Sequence, residues 1–323
     1  MRQLRRLATA LALVLALAGC KDDGISGGAA AAAGSQDDPI QVGLVMKTLT
    51  NPFFVTMEKG ARQAEKDLGI ELVVRTAAEE TSIHQQIDIV DTLIRERQVD
   101  AIVIAPGDSV QLIPVLKNAQ DRGIKVVNID NRLDPDFSRE HGLTRVPFIS
   151  VDNEQAAFLS ASYMADQLER PTEVAVLTGI ESAANAQARE RGARRAFDRH
   201  PLTNLVAVES ADWKVDQAYR VIQDIFDRHP WIGAVFCAND MMAIGVLRYL
   251  EETGRTDVKV AAFDAIAEAK QAIRDGRLTV TIDQLPETQG YKGVATAVDM
   301  VRGVAPPEQV MVDARVIDRA ALD

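Results

Sequence analysis

Residues 41–54 read Gln41-Val42-Gly43-Leu44-Val45-Met46, then Lys47-Thr48-Leu49-Thr50-Asn51-Pro52-Phe53-Phe54. Six residues of strand character run into a polar turn. Pro52 suits the first turn of a helix, where a missing backbone N–H costs nothing. The unit is therefore strand, loop, helix, with Lys47 and Asn51 on the loop and Phe53 and Phe54 at the helix start. In open α/β sheets, ligands bind at this end of the strands. Two adjacent rings beside an amide and an amine suit a flat ligand with one apolar face and a polar rim. The same rings could equally be core, since Phe is usually buried.

The unit repeats along the chain. Strand-like runs are expected at 42–46, 71–75, 101–104, 125–129, 148–151, 173–177, 205–209, 233–237, 259–263 and 278–282. Between them lie amphipathic helices, as in Ile83-His84-Gln85-Gln86-Ile87-Asp88-Ile89-Val90, where apolar residues recur at helical spacing. Such alternation predicts an α/β fold with parallel sheets and right-handed crossovers. About 285 residues follow the N-terminal segment, more than one core usually serves, so two sheets of about five strands fit better than one of ten. No Gly-rich phosphate fingerprint follows any strand. Ala105-Pro106-Gly107-Asp108-Ser109 reads as a polar turn with a helix cap.

The N-terminus carries an export pattern. Arg2, Arg5 and Arg6 precede an apolar run at 11–18, too short to span a bilayer, and it ends in Leu17-Ala18-Gly19-Cys20. This is similar to a bacterial lipoprotein signal, with Cys20 as the lipidated residue. Residues 21–39, rich in Ala, Gly, Ser and Asp, read as a flexible tether. The mature chain is thus expected in the periplasm or cell envelope, held to a membrane by its lipid. Removing residues 1–20 removes three Arg and leaves 33 basic and 47 acidic side chains, a net charge of −14. So acidic a surface disfavours nucleic acid. Cys237 has no partner once Cys20 is lipidated, and the four His residues (84, 141, 200, 229) are scattered without metal-ligand spacing, so neither a metal nor a cofactor is expected.

Polar residues gather where strands end. Asp130-Asn131-Arg132, Arg189-Glu190-Arg191, Ala211-Asp212-Trp213, Asn239-Asp240, Asp264 and Asp283-Gln284 each follow a predicted strand. Singly, a residue such as Asn239 or Asp264 is as well explained as a helix cap. Together they supply carboxylates, amides, a guanidinium and aromatic rings. Sugar hydroxyls need paired donors and acceptors, and sugar C–H faces need aromatic platforms.

The stretches KTLTNPFF, NIDNR, ISVDN, ARERG, ADW, FCANDMMAIG, AAFD and TIDQLP resemble the periplasmic sugar-binding proteins of the ribose-binding type, solute receptors of ABC importers. The resemblance runs from about residue 40 to about 313 and is nearest to the D-allose receptors. It implies two similar doubly wound lobes joined by a three-strand hinge, the type I periplasmic binding protein fold. The lobes would be 40–151 with 285–312, and 152–284 with 313–323, with crossings near Val151, Leu285 and Val312. It further implies ligand contacts from Lys47, Asn51, Phe53, Phe54, Asp130, Arg189, Trp213, Asn239, Asp264 and Gln284. The sugar would stack between Phe54 and Trp213. Lys47 stands where ribose receptors have Ser, and Asn131 where they have Arg; both differences favour an allose-like hexose or a polyol over ribose. The 181–187 loop also departs from both patterns. The implied protein is a monomer that delivers a neutral monosaccharide to an ABC permease and catalyses nothing.

Other readings stay in view. Asp130, Asp264 and Glu190 could form a glycosidase carboxylate pair, but amides and arginines match the acids. A sensor feeding a chemoreceptor or sensor kinase would share the site. Lys47 could pair with the carboxylate or phosphate of an acidic sugar. A sugar-responsive repressor needs a DNA-binding segment where the export pattern stands.

Overall fold

The computed structural model describes residues 39–323; the expected signal, Cys20 and all but the last residue of the tether lie outside them. The chain runs β1 (Gln41–Met46), α1 (Pro52–Leu68), β2 (Glu71–Thr76), α2 (Ile83–Arg95), β3 (Ala101–Ile104), α3 (Ile113–Asp121), β4 (Lys125–Ile129), α4 (Pro135–Glu140) and β5 (Phe148–Ser150). It continues with α5 (Asn153–Ala165), β6 (Thr172–Thr178), α6 (Ala184–Arg199), β7 (Thr203–Ser210), α7 (Val215–Arg228), β8 (Ile232–Cys237), α8 (Asp240–Glu252), β9 (Lys259–Ala261) and α9 (Ala267–Arg274). It closes with β10 (Thr281–Asp283), α10 (Pro286–Val301), β11 (Gln309–Met311), β12 (Arg315–Ile317) and a short 3₁₀ turn.

Two lobes result. The first holds a parallel six-stranded sheet, order β11-β5-β4-β3-β1-β2. β3 is buried along its whole length, as expected of a strand with helices on both faces. The second holds a parallel four-stranded sheet, order β7-β6-β8-β9, which Val280 extends by a bridge to Ala261. A separate antiparallel pair joins β10 and β12. The chain passes between the lobes three times: after β5, between β10 and α10, and between β11 and β12.

Two expectations need correction. Among the described residues the sheets have six, four and two strands, not about five each, because β11 and β12 are only three residues long; long-range pairing to β5 and β10 makes them strands. The Asp108 turn does not cap α3, which starts after Leu112 without a side-chain cap. Asp108 instead accepts from the amides of Val110 and Gln111, closing its own turn.

The helices approach closely through glycine. A Cβ at Gly60 of α1 would fall 1.8 Å from the Glu287 carbonyl of α10, and one at Gly290 would fall 2.1 Å from the Met57 carbonyl. Cys237 is buried and free. Among the described residues, no helix is long and apolar enough to cross a membrane.

Candidate ligand-binding site

At the C-terminal ends of the strands, the two lobes enclose a cavity with about 230 Å³ of space between atoms. Its walls are Lys47, Asn51, Phe53, Phe54, Glu80, Asp130, Asn185, Arg189, Trp213, Asn239, Asp264 and Gln284. Every residue predicted as a ligand contact is therefore brought to one place, from seven different segments of chain. Sequence reasoning missed Glu80 and Asn185. Glu80 follows β2 as the others follow their strands, but Glu79-Glu80 reads as surface charge. Asn185 sits in the first turn of α6, beyond the strand end.

Helix starts supply several of these side chains. Asn51 caps α1, its Oδ1 accepting from the Phe53 amide at 3.0 Å, while its Nδ2 donates to Glu80 at 3.0 Å. Asn239 caps α8 by accepting from the Met242 amide at 2.9 Å. Cap and cavity wall are thus the same residues, and the two readings of Asn239 were not exclusive. Phe53 and Phe54 meet edge to face, centroids 5.1 Å apart.

The charges are buried and mutually paired. Lys47 Nζ lies 2.8 Å from Asp130 Oδ2 and 3.9 Å from Glu80. Arg189 donates from Nε to Asn153 Oδ1 and from Nη1 to the Ala238 carbonyl, both at 2.8 Å. Its Nη1 is 3.5 Å from Asp264 Oδ1, and its guanidinium lies 3.8 Å from the Phe263 ring centroid. Gln284 Nε2 donates to Asp264 Oδ1 at 2.6 Å. Burial pushes the carboxyls of Glu80 and Asp264 up; the charges of Lys47 and Arg189, respectively, work the other way. Burial likewise lowers Arg189, with Asp264, Asp130 and Glu80 opposing; a guanidinium nevertheless stays charged. Three carboxylates thus face two cations.

The backbone is bent to present these groups. Asp130 (φ 63°), Trp213 (φ 65°) and Asp264 (φ 121°) all adopt the positive φ that side chains disfavour, at a cost of about 1–3 kcal/mol each. Gly179 makes room for Trp213: a Cβ there would sit 2.0 Å from the indole.

Four polar atoms of the cavity walls are buried without a hydrogen-bond partner: Asp130 Oδ2, Asn185 Oδ1, Trp213 Nε1 and Gln284 Oε1. Asp130 Oδ2 faces Lys47 as an ion pair, off the line of a hydrogen bond. An unsatisfied buried polar atom costs about 1–3 kcal/mol. Three acceptors and one donor around one small space are complementary to a molecule rich in hydroxyls. Among the described residues, no cluster of His, Cys, Asp and Glu could hold a metal ion.

The periplasmic binding protein domain family matches residues 42–305. The D-ribose/D-allose-binding protein of Pseudomonas aeruginosa is 38% identical over 272 residues, covering 83% of this chain and 84% of that protein. The D-allose-binding periplasmic protein of Escherichia coli is 34% identical, over 79% of this chain and 83% of its own. Among solved structures, an ABC transporter periplasmic solute-binding protein from Actinobacillus succinogenes with bound D-allose superposes with a TM-score of 0.83. It is 34% identical, and the match covers 88% of this chain and 99% of that one.

Proposed function

The chain belongs to the periplasmic binding protein family, and from that premise we propose that it captures one neutral monosaccharide, of the D-allose or D-ribose kind, and delivers it to an ABC importer. The observation that carries this reading is the cavity whose walls hold three buried polar atoms with no partner, Asn185 Oδ1, Trp213 Nε1 and Gln284 Oε1, beside the Lys47–Asp130 ion pair. Trp213 and Phe54 supply platforms for the ring's C–H faces. Asp130, Asn185 and Gln284 accept from hydroxyls, and the Trp213 indole donates to one. Arg189, Asn239, Lys47 and Asn51 complete the polar rim.

A neutral ligand is favoured over an acidic one. Lys47, the cation that an acidic sugar would need, is already engaged by Asp130 and Glu80. An entering anion would have to displace Asp130 from Lys47, 2.8 Å away, in a site of low dielectric.

Capture works by closure. The lobes comprise 40–151 with 285–312, and 152–284 with 313–323, turning about the three passages. A ligand touching both lobes binds the closed form better than the open one and shifts the balance toward it. Cys20, lipidated, anchors the chain to a membrane from the extracytoplasmic side. The closed surface is what the permease reads, and no wall residue needs to do chemistry.

The test is a thermal-shift screen of aldopentoses, aldohexoses, ketoses and inositols, followed by calorimetry on the hits. A ligand at a hundredfold excess over Kd adds about 2.7 kcal/mol of stability. Trp213→Ala and Asp264→Ala should each weaken binding at least about tenfold, the loss of a buried hydrogen-bond partner or platform, with the fold retained. Unchanged affinity in both would remove the site assignment.

A further inference from the structure

We propose that Ser109 and Asn131 cap helix α6 across the gap between the lobes only when the lobes are closed, and so set ligand affinity without touching the ligand. The proposal rests on the reading that closure captures a sugar.

Helix α6 begins without a cap of its own: Ala183 holds the cap position and offers no side-chain hydrogen bond. The first N–H groups of a helix have no partner within it. Two of them find partners on the other lobe. The Ala184 amide donates to Ser109 Oγ at 2.9 Å, and the Asn185 amide donates to Asn131 Oδ1 at 3.1 Å. Beside them the Ser109 amide donates to the Ser182 carbonyl at 3.2 Å. Ser109, Asn131 and Asn185 are all buried, and the Asn185–Asn131 bond is buried with them, while Ala184 is half-buried.

The capping groups are prepared within their own lobe. Asn131 Nδ2 donates to the Pro106 carbonyl at 3.1 Å and lies 3.3 Å from Ser109 Oγ. The Asn131 carbonyl accepts from Asn128 Nδ2 at 2.7 Å. None of these contacts crosses the gap, so opening leaves the acceptors in place and frees the α6 amides to water. Neither Ser109 nor Asn131 is a cavity wall. Asn185 is both: its amide receives the cap, and its side chain presents an unpartnered Oδ1 to the cavity. The Lys214–Glu79 ion pair between the lobes is partly exposed and is worth little.

Because apparent affinity scales with the population of the competent form, removing a cap should weaken every ligand by the same factor. The test is calorimetry and stopped-flow release with D-allose and D-ribose on the full chain, its Ser109→Ala variant and its Asn131→Ala variant. Melting of the ligand-free proteins establishes that each is folded. Spin labels, one on each lobe, report closure with and without sugar. The expected result for Ser109→Ala is a Kd raised about five- to tenfold, the loss of one helix cap, for whichever sugar binds. Release should be faster, and the ratio between the two sugars unchanged. Asn131→Ala should follow the same pattern if its melting shows an intact lobe. An unchanged Kd in a folded Ser109→Ala overturns the latch, as does a changed ratio between sugars, which would mean that the residue senses the ligand. If the unmutated chain binds neither sugar, the capture reading fails separately. The latch is then judged on the ligand-free inter-lobe distance, which must be longer in Ser109→Ala; equal distances overturn it.

Discussion

Trp213 shows how a single side chain is placed from outside its own loop. It sits at positive φ directly after Asp212, also at positive φ, and its ring rests against Gly179 at the end of β6. Gly179 is needed for space, since any Cβ there would overlap the indole. Gly179→Ala should push the ring into the cavity and weaken D-allose binding at least about tenfold. The indole is itself buried, so the added methyl should also cost about 1–3 kcal/mol of stability as overpacking, and affinity is compared in the folded fraction. Calorimetry with a parallel melt checks this; retained affinity would mean that the indole is not the sugar platform. Trp213 was legible in the sequence because an aromatic residue following a strand is unusual chemistry for a turn. Gly179 was not, since a glycine in a loop gives no sign of what packs upon it.

At the scale of elements, the turn after β9 is the most constrained. Asp264 and Ala265 both have positive φ, and Asp240 at the start of α8 holds them. Its Oδ2 accepts from the Ile266 amide at 2.8 Å, its Oδ1 accepts from the Thr281 hydroxyl at 2.7 Å, and Thr281 Oγ1 accepts from the Ala265 amide at 3.2 Å. Burial pushes the Asp240 carboxyl up to about 7, against those hydrogen bonds and the charges of Lys270 and Arg189. The folded chain thus keeps this proton to higher pH than the unfolded chain, whose carboxyl titrates near 3.8. The stability that this group contributes is fully present below that value, falls as pH rises toward about 7, and levels above it. Asp240→Asn cannot titrate, so its melting temperature should fall less over this window; Asp264 and Glu80 retain their own share of the slope. Identical slopes in both proteins would show that Asp240 stays ionised when folded. The α1–α10 contact yields a second expectation. Gly60→Ala and Gly290→Ala each drive a methyl into a facing carbonyl and should destabilise by about 1–3 kcal/mol, read by urea unfolding. Neither changes a cavity wall, so affinity in the folded fraction should hold.

Across the whole molecule, what was legible follows from where stability comes from. β3 and β4 were read with their observed ends, because a strand covered by helices is apolar throughout. β11 and β12 were not, being three residues each, half-exposed and dependent on partners far away in the chain. The site was legible in outline because a parallel α/β fold puts strand C-termini on one side, so residues scattered over the sequence converge. Glu80 escaped because only the approach of Lys47 and Asn51 makes its burial tolerable. The resulting charge distribution bears on which ligands can enter. The chain carries a net charge of −11, and its cavity holds one more acid than base. A neutral sugar gains nothing from long-range attraction, and the cavity ion pairs are too buried for salt to screen. Affinity for D-allose should therefore change less than about twofold between roughly 50 and 500 mM NaCl, a range over which the Debye length falls from about 14 to about 4 Å. An anionic sugar would meet repulsion from the acidic surface, so its binding would be weak at low salt and strengthen as screening grows. Calorimetry with D-allose and with a sugar acid such as D-glucuronate across that range separates the two. Tight binding of the acid at low salt would show that Lys47 exchanges Asp130 for the ligand, and the neutral-sugar reading would fall.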